Sequence, residues 1–372
     1  MKIIPLFHIF IFISSGLFGM KEPSVAQLIQ PLIDIKKFGT GNNAAIETWG
    51  KVASLPASDV PRLLSAMNQA NDLGDNWIRA ALSKISEKNQ TSLPIQQIIK
   101  FIKDKKNKDD ARKAAYDIIQ THNPKVTAKL APSFLDDPAP DLRRISVALM
   151  IDQIKDIKSE AKKEKLLHFA LNKAREVEQI KEINEGLKAI GQSVNVTNLM
   201  GFLVNWHTVG PFDNTERTGF DKRFRPEEQT GLDQKYKNAG KIITWSPFST
   251  TEEFGMLDIN KQYGEIKEVC AYAQATFKSK KSQPAHFRIG SKNAWKFWLN
   301  GKLLFARDEY HRGKTRVDQF VIDGNFKKGE NLILLKICQN EQTQSWTKQW
   351  EFNFRVTDRS GTVIHSNENI SN

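Results

Sequence analysis

Cysteine, long apolar runs and clustered charge are all scarce in this chain, and each scarcity excludes something. Two cysteines among 372 residues cannot build the disulfide framework of a small secreted scaffold, and with no histidine cluster beside them they do not make a zinc site. Cys270 and Cys338 both fall on expected strands of one half. That leaves open a disulfide or two free thiols packed as small hydrophobes. The apolar run from Ile3 to Ile13 is shorter than the ~20 residues that cross a bilayer, and no other segment approaches that length. The net charge of +13 is spread over both halves. Its densest stretch, "KDKKNKDD" (Lys103 to Asp110), is largely neutralised by its own aspartates. Phosphate binding needs clustered Lys and Arg, so this run reads as a solvated loop and no nucleic-acid partner is expected.

Signature motifs of catalysis are also missing. The chain has no G-x-S-x-G, no H-E-x-x-H and no phosphate loop. "GTGNNA" (Gly39 to Ala44) has a dinucleotide-binding spacing, but the mechanism needs a strand before it, and "QLIQPLIDIKKF" reads as helix. It is expected to be a turn between helices, and no cofactor is implied. His207 and His311 are the nearest to proton carriers, with Asp308, Glu309 and Asp318 close to His311 in sequence. A glycosidase needs two carboxylates held across a cleft, which adjacency does not establish. The expectation is that the protein is not an enzyme.

What is present begins with the start "MKIIPLFHIFIFISSGLFGMKEPS". A basic start, a short apolar run and small residues have the layout of a signal peptide, taken as residues 1–19, with an uncleaved anchor reaching Met20 as the alternative. Export to the periplasm, the cell surface or the medium follows, with no membrane span after cleavage. No cysteine follows the run, so lipid attachment there is excluded.

From residue 21 to 195 apolar residues recur at three and four positions, as in "VPRLLSAMNQA" and "NWIRAALSKISEK", which predicts roughly nine or ten amphipathic helices. Starts are expected near Ser24, Asn43, Ser58, Asp75, Ser92, Asp109, Pro124, Asp141, Lys158 and Val177. Paired helices of this length imply a stacked α-solenoid, a fold that presents surfaces to protein partners. "LDDPAPDLRRISVALMIDQI" (Leu135 to Ile154) resembles a HEAT-type repeat, with Asp137, Asp141, Leu142 and Arg143 at the matching places. The aspartates are then expected to cap the helix and to bond an arginine of an adjoining repeat, with Leu142, Val147 and Leu149 inward.

The period changes after "GQSVNVTN". From 200 to 372 short β-branched and aromatic runs alternate with Gly, Asn, Asp and Pro, which predicts an all-β sandwich or barrel. Within it, "NAWKFWLNGKLLFA" contains Asn300-Gly301, the strongest short hairpin signal, because both central residues of a type I′ turn need positive φ. Trp295, Phe297, Leu299 and Leu304 are expected on one face, and Lys296, Trp298, Leu303 and Phe305 on the other. Apolar residues on both faces predict burial of both. Trp298 is then either core or a platform for a sugar ring. The polar tail "RDEYHRGKTRVD" (Arg307 to Asp318) should leave the sheet as a loop, where binding residues concentrate. Asp308, Tyr310, His311 and Arg312 combine a ring, an imidazole and hydrogen-bonding groups suited to a sugar or a carboxylate. "FDNTERTGFD" offers Asp213, Asn214 and Asp221 as oxygen ligands for Ca²⁺, against capped turns as the alternative.

"NWHTVGPFDN", "GFDKRFRPE", "AYAQATF", "GSKNAWKFWLNGKLLFARDEYHRG" and "KKGENLILLKICQNE" together resemble uncharacterised exported bacterial proteins in which helical repeats precede a galactose-binding-like or PA14-like jelly roll. The resemblance implies a multidomain α plus β chain, a HEAT-like α-solenoid followed by a jelly-roll sandwich that binds carbohydrate or another envelope component. A structural or assembly protein whose sandwich binds only protein is the alternative, with a glycan-acting enzyme third. An acidic "GSDD"-like turn common in such sandwiches is "GSKN" here, with Lys292 and Asn293 where carboxylates are expected.

Overall fold

The computed structural model describes residues 23–366 except residue 239. The expected signal segment lies outside them. The described residues form two compact units that divide between Lys129 and Leu130.

The first unit is helical: α1 (Val25–Ile33), α2 (Asn42–Val52), α3 (Val60–Met67), α4 (Asp72–Lys88), α5 (Ile95–Lys103), α6 (Asp109–His122) and α7 (Pro124–Leu130), whose last residue falls past the division. Ser24 opens α1 with a capping box, its hydroxyl accepting from the Gln27 amide while the Gln27 side chain accepts from the Ser24 amide at 2.8 Å. Asn71 caps α4 through the amides of Leu73 and Gly74. α1 packs on α2, α3 on α4 and α5 on α6, and the pairs stack as two layers, α1–α3–α5 and α2–α4–α6. One glycine makes this close: a Cβ at Gly74 would lie 2.6 Å from the Leu32 carbonyl oxygen. "GTGNNA" covers the end of the turn between α1 and α2 (Gly39 to Gly41) and the first three residues of α2.

Secondary structure switches where the periodicity does. Helices α8 (Pro140–Lys155), α9 (Glu160–Lys173), α10 (Val177–Lys188) and α11 (Val196–Leu199) give way to β1 (Asn205–Asp213). Compactness divides the chain earlier, because α8 to α10 bury Val147, Ile151, Leu167, Ile180 and Ile183 in a core that includes Met200 and Phe202 and draws in Phe254 and Val317. In the segment from Leu135 to Ile154, Asp137 rather than Asp141 makes the turn, accepting from the Ala139 amide at 2.9 Å, and Asp141 is exposed. Leu142 and Val147 are inward, but Leu149 is only half-buried. Arg143 donates to the Ser360 carbonyl of the β half.

The strands that follow are β2 (Lys235–Asn238), β3 (Lys241–Thr244), β4 (Ser246–Ser249), β5 (Leu257–Asp258), β6 (Val269–Ser279), β7 (Gln283–Gly290), β8 (Ala294–Leu299), β9 (Lys302–Arg307), β10 (Phe320–Phe326), β11 (Gly329–Gln339) and β12 (Glu351–Thr357), with one short helix, α12 (Asn260–Tyr263), after β5. A six-stranded sheet, β4-β1-β6-β11-β8-β9, faces a four-stranded sheet, β10-β7-β12-β5, and β2-β3 form a separate ribbon. Every pairing among them is antiparallel. Period-two alternation sends Ala271, Ala273, Phe277, Ile333, Leu335 and Ile337 into the core between the sheets, where they meet Phe287, Ile289, Phe352 and Phe354.

The other face of β6 and β11 is buried as well. Tyr272, Leu334 and Trp298 lie there under Phe220, Tyr236 and Trp245 from the excursion between β1 and β4. Lys336 fastens this cover. Its ammonium, wholly buried, donates to the carbonyls of Phe220 (3.0 Å) and Lys222 (2.7 Å) and to Glu227 Oε1 (3.2 Å), and stands over the rings of Phe224 and Tyr272. The Tyr272 hydroxyl donates to the same carboxylate at 2.5 Å.

The hairpin has its type I′ turn, with φ of 52° at Asn300 and 79° at Gly301. Two expectations fail. Burial of both faces does not extend to the second strand, where Leu303 is 47% exposed. A register shift pairs Phe297 with Phe305 and Trp298 with Leu303, so Leu304 is an extra residue in β9. Phe305 therefore stacks on Trp295 at 4.9 Å instead of sharing the face of Trp298.

Candidate functional site

In an antiparallel sandwich the ends of alternate strands gather at one pole. β1, β7, β9 and β11 finish there, and β6, β8 and β12 begin there, so the segments 214–219, 265–268, 291–293, 308–319 and 340–350 converge. Most of the residues singled out from the sequence lie here, in unequal roles.

Trp298 is 7% exposed and covered by the 213–245 excursion, so it is core and not a platform. Tyr310 is partly buried at the rim of that cluster. Its hydroxyl oxygen accepts from Asn214 Nδ2 at 3.1 Å, the Arg217 guanidinium stands 5.3 Å from its ring centre, and burial raises its pKa. His311, with a left-handed φ of 53°, is buried. Its amide donates to the Lys292 carbonyl at 2.6 Å, and its Nε2 meets Asn340 Oδ1 at 2.9 Å. Burial lowers the imidazole's pKa, with help from the Lys267 and Lys292 charges and against the Asn340 bond. The ring is thus neutral near pH 7. Asp308 and Arg312 are exposed on the same loop.

The calcium set is not assembled as a ligand shell. Asp213 Oδ1 accepts from Thr215 Oγ1 at 2.6 Å and from its amide, a capped turn. Asn214 is buried, and Asp221 pairs with Lys296 at 3.0 Å. Among the described residues no group of three or more His, Cys, Asp or Glu side chains could hold a metal ion. Cys270 and Cys338 are free thiols directly opposite each other on β6 and β11, wholly buried, and burial pushes the Cys338 thiol well up. Native protein is expected to leave both unmodified by a water-soluble thiol reagent, and unfolded protein to titrate both. Fast native labelling would show that the cover opens.

"GSKN" has a definite job. Lys292 is 6% exposed, and its ammonium donates to the Trp346 carbonyl and to Gln349 Oε1, each at 2.6 Å. Lys267 donates to the Thr347 carbonyl at 2.8 Å, and Gln339 Nε2 to the carbonyls of Thr347 and Lys348. Asn293 donates to the Gln349 carbonyl and accepts from the Glu351 amide. Buried and half-buried donors thus hold the 340–350 loop in one shape, and the shape presents Trp346.

Trp346 is 55% exposed and stands edge-on to His311, with ring centres 6.5 Å apart. Sequence reasoning missed it as a site residue. The available signal was an aromatic inside a polar run, "NEQTQSWTKQ". Around it lie the bidentate Arg217–Glu341 pair (3.1 and 2.5 Å) and the exposed Lys348–Glu265 pair. Three buried polar atoms beneath lack a partner: His311 Nδ1, Asn340 Nδ2 and Asn214 Oδ1. A half-exposed indole beside hydrogen-bonding groups can stack on an apolar ring face and bond its polar edge.

No family model and no curated protein matches the chain. Two solved structures are similar to part of it. The PA14 domain of the MpAFP antifreeze protein aligns at 12% identity, with a TM-score of 0.22, over 44% of this chain and 69% of that one. An anti-sigma factor domain-containing protein aligns at 11% identity, also with a TM-score of 0.22, over 46% of this chain and 51% of that one. Likeness this faint says nothing about a ligand, which leaves the chemistry of the pole itself. What is plain is the architecture, a helical region followed by an antiparallel β-sandwich.

Proposed function

We propose that this is an exported, non-catalytic binding protein whose sandwich pole takes a carbohydrate of the cell envelope. The single observation that supports the reading is Trp346, held half-exposed on a loop fastened by Lys292, Lys267 and Gln339. An indole on a loop fastened this way offers a flat apolar face at a reduced ordering cost on binding. Arg217, Glu341 and Arg312 supply donors and acceptors for hydroxyl groups at the rim. A second reading, capture of protein by the helical unit, is favoured by Phe38, exposed in the turn after α1, and Ile46, exposed on α2.

The test is a glycan array and polysaccharide titration of the full chain. Trp346→Ala is expected to weaken saturable binding about fivefold, the worth of one aromatic stack of about 1 kcal/mol, without changing Tm. Binding that survives Trp346→Ala unchanged would remove the indole from the site. Absence of any glycan binding by folded protein would move the weight to protein assembly. The amino-terminal residue of protein recovered from its native host tests export.

A further inference from the structure

A second feature of the sandwich unit lies away from the pole, where α8 to α10 meet the turn after β12. Arg143 and Arg175 both approach that turn. Arg143 is 7% exposed and donates to the Ser360 carbonyl. Arg175 is half-buried. Its Nη1 donates to the carbonyls of Asn172 (2.8 Å) and Ala174 (2.7 Å), and its Nε to Thr362 Oγ1 (3.4 Å). Among the described residues neither guanidinium has a carboxylate within 4.0 Å.

Three of the nearby carboxylates have other bonds, while Glu176 acts on Arg143 without touching it. Asp358 Oδ1 accepts from the Ser360 amide and hydroxyl and from the Thr362 amide. Asp318 is shared by Arg288 and Arg355, and Asp136 is held by Lys173 at 2.5 Å. Burial, then the neighbouring Arg143 charge, lowers the Arg175 pKa, against the weaker opposing charges of Asp358 and Asp136. A half-buried cation with no carboxylate in contact favours an anion that can reach it.

A cavity opens beside it. Its volume is about 220 Å³, its floor is apolar (Leu171, Ile180, Met200), and its rim carries Arg175, Thr362 and His365. Arg355 also reaches the cavity, but its fork is spent on Asp318.

We propose that this cavity binds a small organic carboxylate, with the anionic group on the Arg175 guanidinium and Thr362 and the aliphatic body over Leu171, Ile180 and Met200. A charge-assisted pair supplies the missing counter-ion, and the apolar floor selects a carboxylate with a hydrocarbon tail over inorganic phosphate. The site is separate from the Trp346 pole and does not depend on its ligand.

Calorimetric titration of the full chain with isovalerate, the neutral 3-methylbutanol and inorganic phosphate tests this. Isovalerate is expected to bind saturably, at least about tenfold more tightly than either of the others, and more weakly as salt rises. Arg175→Met is expected to cost at least about tenfold in isovalerate affinity. No saturable binding of isovalerate, a preference for phosphate, or equal binding by Arg175→Met would overturn the proposal. If Arg175→Met fails to fold, a crystal of the wild-type protein soaked with 4-bromobutyrate decides. Bromine density over Leu171 and Met200 supports the site, and its absence there overturns it.

Discussion

Asp318→Ala is expected to lower the unfolding free energy by about 3–5 kcal/mol, the usual cost of stripping the partner from a buried charge. Asp318 is the common acceptor of two arginines on the outer face of the four-stranded sheet. Arg355 reaches it through Nε at 2.7 Å and through Nη2, and Arg288 through Nη1 at 2.9 Å. The Arg355 side chain is only 2% exposed, so alanine at 318 leaves a guanidinium with neither counter-ion nor water. The pH dependence has a definite sign. Burial acts to raise the Asp318 pKa, but the hydrogen bonds and charges of Arg355 and Arg288 outweigh it and hold the carboxyl below its ordinary value of 3.8. A depressed folded pKa contributes stability above the unfolded value, and that contribution is lost as pH falls from about 4 through the folded pKa. Urea unfolding between pH 7 and pH 3 should therefore show wild type and Asp318→Ala converging at the acid end. Parallel curves, or a loss under about 1 kcal/mol at pH 7, would mean that the arginines find other partners.

Lys336→Met is expected to be nearly as damaging, by about 3 kcal/mol, although it keeps the aliphatic stem and deletes only the ammonium. The deletion leaves the carbonyls of Phe220 and Lys222 and the Glu227 carboxylate facing an apolar layer. Because these acceptors belong to the cover over β6 and β11, limited proteolysis should cut first between 213 and 245, with the hairpin at 294–307 still protected. A variant as stable as wild type, with unchanged cleavage, would show that Lys336 is replaceable by packing. Double variants with Glu227→Gln separate the charge pair from the carbonyl bonds.

Neither acceptor set was legible in the sequence, and the reason is the same in both. "NLILLKIC" marks Lys336 as an odd residue in an apolar strand, yet its partners lie more than a hundred residues upstream, in an excursion without strong periodicity. Asp318 was read as a neighbour of His311 because it is close in the chain. Its left-handed φ of 57° turns it instead toward β7 and β12. The candidate site divides similarly. Tyr310, His311, Asp308 and Arg312 were found because a polar run after a hairpin must leave the sheet. Trp298 was ambiguous because a two-residue period shows which face a side chain takes and not what covers that face. Trp346 was passed over because a single aromatic in a polar loop has no periodic neighbour to signal it.

The sequence by itself determined the elements. Period 3.6 placed the helices to within about three residues, as at Ser24, Asp109 and Val177. Period 2 placed the strands, Asn300-Gly301 the hairpin turn, and the change between periods the switch near residue 200. These are local choices, decided by backbone dihedrals and by which side of an element is apolar. Only the tertiary structure decided the partners: that α8 to α10 belong with the sandwich, that Leu304 bulges and turns Phe305 inward, that Lys292 ties down a loop, and that Trp346 is the exposed ring. Each of those depends on contacts between segments far apart in the chain, where packing and charge pairing act and local propensity has no say.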